Sequence, residues 1–317
     1  MNKVIYETNI KMFEKSFPGI GKLIDKSRNK MDGGLEVYLE QAADGNNIIK
    51  VKKEDRELYF NGKREPADKV RIELEKWGKI DKHAVIFVTG LGDITFLKKL
   101  LSVVETSTQI VIYEPSINIF YKVFDNIDLS FLFADRIPAL IVDGLNEDEK
   151  SGVIGNLVTL SNIEFIKHYE NRNYVELFSS QILKFLKVLD KRISDVIVGR
   201  NTQIRYSAVE MDNLFHNIKY LCDGSITTQL CDIIPTDIPA IIVSAGPSLN
   251  KNIMELKGAK NKAFIVAVDT AVRPLVNAGI IPDMYVIVDG LKPKELLDFD
   301  EAKRIPLMSS ITSTKKI

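Results

Sequence analysis

Apolar residues change their period several times along the chain. Up to about Arg28 they recur at three- and four-residue spacing, which predicts helix. The stretch LEVYLEQAADGNNIIKVKKEDRELYFNGKREP then alternates apolar and polar positions. Asp44-Gly45 and Asn61-Gly62 are its turn signals, so it reads as a small antiparallel meander, with ELYFNGKRE as its clearest hairpin. From Lys69 the period changes again. A helix around Val70 to Trp77 leads into the buried strand AVIFVTG, and LGDITFLKKLLSVV reads as the next helix. The strand QIVIYEP, the helix SINIFYKVFDNI and the strand ALIVDG follow. Residues from about Asn173 to Leu221 are helical in pattern, with little strand signal, and CDGSITTQLCDIIPTDIP is a loop with room for one short helix. A second alternating series starts at Ala240: AIIVSAG, a helix, AFIVAVD, the helix TAVRPLVNAG, DMYVIVDG, and IPLMSSI as a fourth strand.

Strands alternating with helices predict mostly parallel, doubly wound sheets. The expected fold is therefore α/β: two Rossmann-like units joined by a helical segment, with a small N-terminal meander. The expected domains are 1–68 for the N-terminal helix and meander, 69–172 for the first α/β unit, 173–238 for the helical connector and 239–317 for the second unit. Four strands are few for a doubly wound sheet, which usually has five or six, so the second unit is expected to be incomplete.

Composition adds mainly exclusions. The 317 residues are 45% hydrophobic and 27% charged, enough for ordinary cores. Lys+Arg and Asp+Glu both number 43, so net charge gives no support for nucleic-acid or membrane-surface binding. The two cysteines, Cys222 and Cys231, form neither a disulfide framework nor a four-ligand zinc site, and read as reduced thiols. The N-terminus lacks a signal-peptide apolar core, and no segment approaches the roughly 20 apolar residues of a membrane span. The expected location is cytoplasmic. His83, His168 and His216 show no metal spacing and offer no histidine general base.

Three places carry candidate chemistry. In FVTGLGD, Gly90 and Gly92 lie at a strand-to-helix turn, with Glu114 ending the next strand. That spacing suits a nucleotide or S-adenosylmethionine pocket whose acid holds ribose hydroxyls, but a lone GxG is a weak signal, and a tight βα turn needs glycine for its own geometry anyway. With no further cofactor signal, we expect no methyltransferase site there. In SAGPSL, Gly246 permits close approach, Pro247 suits a first helical position, and Ser248 and Leu249 present backbone N–H groups to a phosphate. A simply capped helix, with Ser244 or Ser248 as cap, is the alternative. Asp269 and Asp289 end successive strands and would face the same crevice, for ribose or a divalent cation; helix capping and a turn are the alternatives. Asp283 is read as structural.

The sequences AIIVSAGPSLNKNIMEL and FIVAVDTAVRPLVNAGIIPDMYVIVDG together resemble the motility accessory factor (Maf) family of bacterial flagellin glycosyltransferases. VIFVTGLGDITFLKKLL, IVIYEPSINIFYKVFDNIDLSFLF and DRIPALIVDG resemble the N-terminal domain of the same proteins, so the likeness runs from about Glu57 onward. It implies transfer of a CMP-activated nonulosonic acid (pseudaminic, legionaminic or sialic-like) to Ser or Thr of flagellin. Gly246, Pro247, Ser248, Leu249, Asp269 and Asp289 would bind the nucleotide. The catalytic base stays unassigned, and the fragment is expected to be inactive. The central module is similar to bacterial sialyltransferases, in which an Asn precedes the Gly-Pro-Ser. Here Ala245 stands there, which leaves one nucleotide contact absent or supplied from elsewhere. The module is also similar to hydroxymethyl-dihydropterin pyrophosphokinases, in which the turn would hold ATP and the acids magnesium. The implied partners are flagellin and a nucleotide sugar. The resemblance fixes no cofactor, and leaves a divalent cation, oligomerisation and a non-catalytic flagellin-binding role open.

Overall fold

A computed structural model describes residues 1–31, 33–221, 224–234 and 236–315. Cys222 and the side chain of Cys231, read from the sequence as reduced thiols, lie outside the described residues. The chain divides into two compact units, Met1–Val198 and Gly199–Ile317.

The first unit opens with helices α1 (Lys3–Ser16) and α2 (Ile20–Ser27). The strands β1 (Leu35–Gln41), β2 (Asn47–Lys53) and β3 (Arg56–Tyr59) follow as an antiparallel meander. Asp44-Gly45 turns β1 into β2, with Gly45 at φ 83°. The other expected turn is not at Asn61-Gly62. Lys53 pairs with Arg56, so the hairpin closes on Glu54-Asp55, and Glu54 takes the left-handed φ of 54°. Asn61 is buried instead, for a reason given below. Glycine suits the first position of such a two-residue loop. Glu54→Gly is expected to raise stability by up to about 1 kcal/mol, the order of the side-chain penalty at positive φ. A urea titration followed by the fluorescence of Trp77 reads this directly.

After α3 (Pro66–Lys76) comes a βα series: β4 (Val85–Thr89), α4 (Ile94–Val103), β5 (Gln109–Glu114), α5 (Ile117–Phe124), β6 (Ala139–Val142), α6 (Lys150–Leu157) and β7 (Ile166–Glu170). All four strands are parallel, in the order β6-β5-β4-β7. The chain winds outward from β4 to β6, then returns to the far side of β4. With right-handed crossovers, that reversal covers both faces of the sheet. All five residues of β4 are buried, and each large apolar side chain there contributes about 1.5–3 kcal/mol by leaving water.

One apolar core runs from Phe13 to Leu189, so helix α1 and the meander belong to this unit rather than to a separate domain. Asn9 fastens α1 to it. Its amide donates to the carbonyls of Phe124 (2.7 Å) and Ile127 (2.8 Å) and its oxygen accepts from Leu129 N–H. The helical connector is α7 (Arg172–Asn217), which leaves helical geometry at Phe178 (φ −128°, ψ 30°).

The second unit contains α8 (Leu230–Ile233), β8 (Ala240–Val243), α9 (Leu249–Asn252), β9 (Phe264–Val268), α10 (Asp269–Asn277), β10 (Met284–Ile287) and β11 (Leu307–Ser309). Its four parallel strands follow strict chain order, β8-β9-β10-β11. The strands present therefore form a single winding, with no reversal. Its crossovers share one face by the same handedness rule. On the other face Ile242, beside Val266, is 75% exposed.

Candidate functional site

In a doubly wound sheet the ligand crevice lies where the strand order reverses, outside the strand C-termini. In the first unit this is the end of β4, where Gly90 and Gly92 sit. The crevice is filled by the chain itself. Gly90 has φ 107°, and a Cβ there would lie 2.4 Å from the Tyr174 ring. At Gly92 a Cβ would lie 2.5 Å from the Tyr174 hydroxyl. The Tyr174 ring stacks on Phe60 at 3.9 Å. Its hydroxyl donates to Glu114 Oε2 (2.7 Å) and accepts from Gly92 N–H (2.9 Å).

Glu114, wholly buried, also accepts from the N–H groups of Leu91 (2.8 Å) and Ser116 (3.0 Å). Burial pushes its carboxyl up to about 8, against the pull of those donors. Tyr174, buried against it, is pushed well above the usual phenol range. A ribose hydroxyl would need the position that the Tyr174 hydroxyl holds. The geometry thus goes with the turn-building alternative for Gly90, Gly92 and Glu114.

Asp93, which caps α4, completes the plug. It accepts from Asn61 (2.7 Å), Tyr169 (2.7 Å) and Asn171 (2.9 Å) as well as from Phe96 N–H. Asn61 is thus held by a buried carboxylate, which outweighs its turn propensity. Nearby on the sheet His168 shares a 3.0 Å hydrogen bond with Thr89. Desolvation lowers it to about 4, which leaves it neutral at pH 7.

The second unit is more open. Ser244 to Ser248 follow β8, Asp269 follows β9 and Asp289 follows β10, so all stand at the C-terminal edge of one parallel sheet. The turn departs from the sequence reading in two ways. Leu249 N–H donates to Gly246 O (2.9 Å), so it is not a free donor for a phosphate. Helix α9 has four residues and passes into a 3-10 turn over Ile253–Ala259. A segment that short lacks the aligned peptide dipoles of a full helix. Gly246 is informative for another reason. Its φ is not positive, and a Cβ there would meet only the Ser248 Oγ, at 3.8 Å. Neither backbone nor packing asks for glycine there.

Asp269 and Asp289 are brought together by a residue the sequence reading missed. Lys292 Nζ lies 3.2 Å from Asp269 Oδ2 and 3.8 Å from Asp289 Oδ2. Asp269 is buried and also accepts from Thr270 N–H at 2.5 Å; it is the first residue of α10, whose cap position is held by Val268, so it does not take the expected capping place. Asp289 accepts from Leu291 N–H (2.8 Å), the expected turn contact. Thr314 holds the loop from the far side, its hydroxyl donating to Lys292 O and its N–H to Asp289 O. Asn213 donates to Gly290 O and Thr312 O. Asp283 lies at the opposite end of β10, bound to Lys260 Nζ (2.6 Å) and Ile265 N–H, in a structural role. Among the described residues, no group of three or more His, Cys, Asp and Glu is placed to hold a metal ion. Among them too, no helix is long and apolar enough to cross a membrane.

A family model described as 6-hydroxymethylpterin diphosphokinase MptE-like matches residues 212–317. An uncharacterized protein of Treponema pallidum (strain Nichols) is 26% identical over 125 residues, which is 39% of this chain and 58% of that protein. A solved structure, the MAf glycosyltransferase from Magnetospirillum magneticum AMB-1, is 15% identical, with a TM-score of 0.49. That likeness covers 99% of this chain and 54% of the other. The chain spans little more than half the length of these relatives.

Proposed function

We propose that the C-terminal edge of the second sheet is a nucleotide site, and that it serves transfer of a CMP-activated nonulosonic acid to Ser or Thr of flagellin. The observation that carries this is the pairing of an unneeded glycine, Gly246, with Lys292 held between Asp269 and Asp289. Gly246 follows β8, and the lysine–aspartate group spans the ends of β9 and β10, the next two strands along the same sheet edge. Gly246 lets a ligand approach the backbone closely. Lys292 supplies a mobile cation for the phosphate, and the two aspartates accept from ribose or cytosine donors once the ammonium moves. Loss of CMP from the donor passes through an oxocarbenium-like state, so phosphate stabilisation and placement of the acceptor hydroxyl are the catalytic needs. The sugar and the flagellin acceptor rest on the sequence resemblance alone.

The match to a pterin diphosphokinase family model supports a second reading, ATP-dependent diphosphoryl transfer. That chemistry uses magnesium to neutralise the phosphates, and Asp269 and Asp289 could ligate it only after Lys292 is displaced.

Calorimetry separates the two. CMP is expected to bind this chain without added metal. Lys292→Ala is expected to weaken binding about tenfold or more, as loss of a charge-assisted contact does. Gly246→Phe should abolish it while leaving the Trp77-detected unfolding of the first unit unchanged. Binding of ATP only with magnesium, and pterin diphosphate as product, would establish the second reading. A transfer assay with flagellin and CMP-sugar, read by intact mass, tests the acceptor.

A further inference from the structure

Helix α7 carries a largely exposed apolar stripe in the second unit, which, among the described residues, stands outside that unit's core. Ile204, Ala208, Met211 and Phe215 recur at spacings of four, three and four residues, and Ile218 continues the series in the following 3-10 turn. Ile204 is 66%, Met211 54% and Phe215 69% exposed. At 3.6 residues per turn these positions fall within roughly 80° of arc, narrower than a stripe facing a globular core. The spacing is that of a coiled-coil seam. The opposite side of the helix is the one fastened to its own unit. Asn213 bonds Gly290 O and Thr312 O, and Asn217 bonds Ile311 O and Ser313 O. The seam therefore points away from the sheet.

We infer that this seam pairs with the same helix of a second copy of the chain, antiparallel about a two-fold axis between Ala208 and Met211. In that register Ile204 of one copy packs on Phe215 of the other, and Ala208 on Met211, so a small residue meets a long one in the central layers. Arg205 and Asp212 lie on one flank of the seam. The same register sets Arg205 of each copy beside Asp212 of the other, which gives two complementary charge pairs by symmetry. Asp212 also pairs with Lys315 of its own chain and holds it on that flank. A parallel pairing would instead stack Ala208 on Ala208 and Phe215 on Phe215 and turn the Arg205–Asp212 flank of each copy toward the other flank of its partner, so the two charge pairs would not form.

The test uses the full chain with Cys222 and Cys231 replaced by serine. Sedimentation equilibrium is expected to show a concentration-dependent dimer. Arg205→Asp should weaken it about tenfold, as two surface ion pairs become repulsions, and Arg205→Asp with Asp212→Arg should restore it. Chains carrying Ile204→Cys and chains carrying Phe215→Cys, mixed and oxidised, should form the mixed disulfide and few homodimeric ones. A monomer at every concentration overturns the inference. So does exclusive formation of 204–204 and 215–215 disulfides, which marks a parallel pair. Circular dichroism of each variant checks that the helix is intact.

Discussion

Gly90→Ala is expected to destabilise the first unit by more than about 4 kcal/mol, a size reserved for backbone and core-overpacking defects. Two penalties combine. At φ 107° an L side chain is strained, which by itself costs on the order of 1–3 kcal/mol. The new methyl also lies 2.4 Å from a ring that cannot withdraw, because Tyr174 is stacked on Phe60 and bonded to Glu114 and Gly92. The single tryptophan, Trp77, belongs to this unit, so its fluorescence in urea reports the unit separately from the second. In a Tyr174→Ala background, itself destabilised by loss of the buried ring, adding Gly90→Ala should cost only the backbone share, since the steric share is relieved. A Gly90→Ala protein as stable as the parent would mean that the crevice is not plugged as described.

The second large effect is on pH. Glu114 is raised from the ordinary carboxyl value to about 8, so the folded unit binds a proton that the unfolded chain releases. The stability this confers is complete below the unfolded value, near 4.3, and is lost as pH rises through about 8. His168 acts in the opposite sense. It is lowered to about 4, so stability is lost as pH falls from about 6.5 toward that value. The two slopes oppose each other below pH 6.5, and between 6.5 and 8 Glu114 acts alone. Each pH unit of that interval is expected to remove about 1 kcal/mol, near the limit set for one proton. The midpoint of Trp77 unfolding in urea at pH 6.5 and at pH 8 measures it. Glu114→Gln should be less stable at pH 6.5, because an amide N–H2 faces backbone donors, yet should show little change to pH 8. An unchanged slope in the variant would assign the titration to another group.

Local pattern made both βα series legible, because period and turn chemistry are local properties. Strand order is not local. The same alternation yields a reversal at β4 in one unit and none in the other, and only the long-range pairing of β4 with β7 distinguishes them. The glycines of FVTGLGD were visible as a turn, but their partner, Tyr174, is a distant residue whose fit depends on tertiary packing. Asn61-Gly62 misled because a buried carboxylate outbids turn propensity for an asparagine amide. At the second site Asp269 and Asp289 could be placed from strand ends alone. Lys292 could not, since its loop has no period and its reach depends on side-chain length. The amphipathic pattern after Ser248 likewise suggested a longer helix than the four residues formed.

The pairing of β4 with β7 also sets an order of events during synthesis. Val85 lies beside Ile166 in the finished sheet. Until that later segment leaves the ribosome, one edge of β4 has no strand to pair with, although β5 and β6 can already close the other. At ~5–20 residues per second, the intervening ~80 residues keep that edge open for several seconds. Its residues are wholly apolar apart from Thr89, the kind of edge that recruits strands from other chains. The second sheet has no such interval, because each new strand docks beside the one made just before it. The nascent chain is therefore most in need of chaperone protection between the emergence of β4 and that of β7.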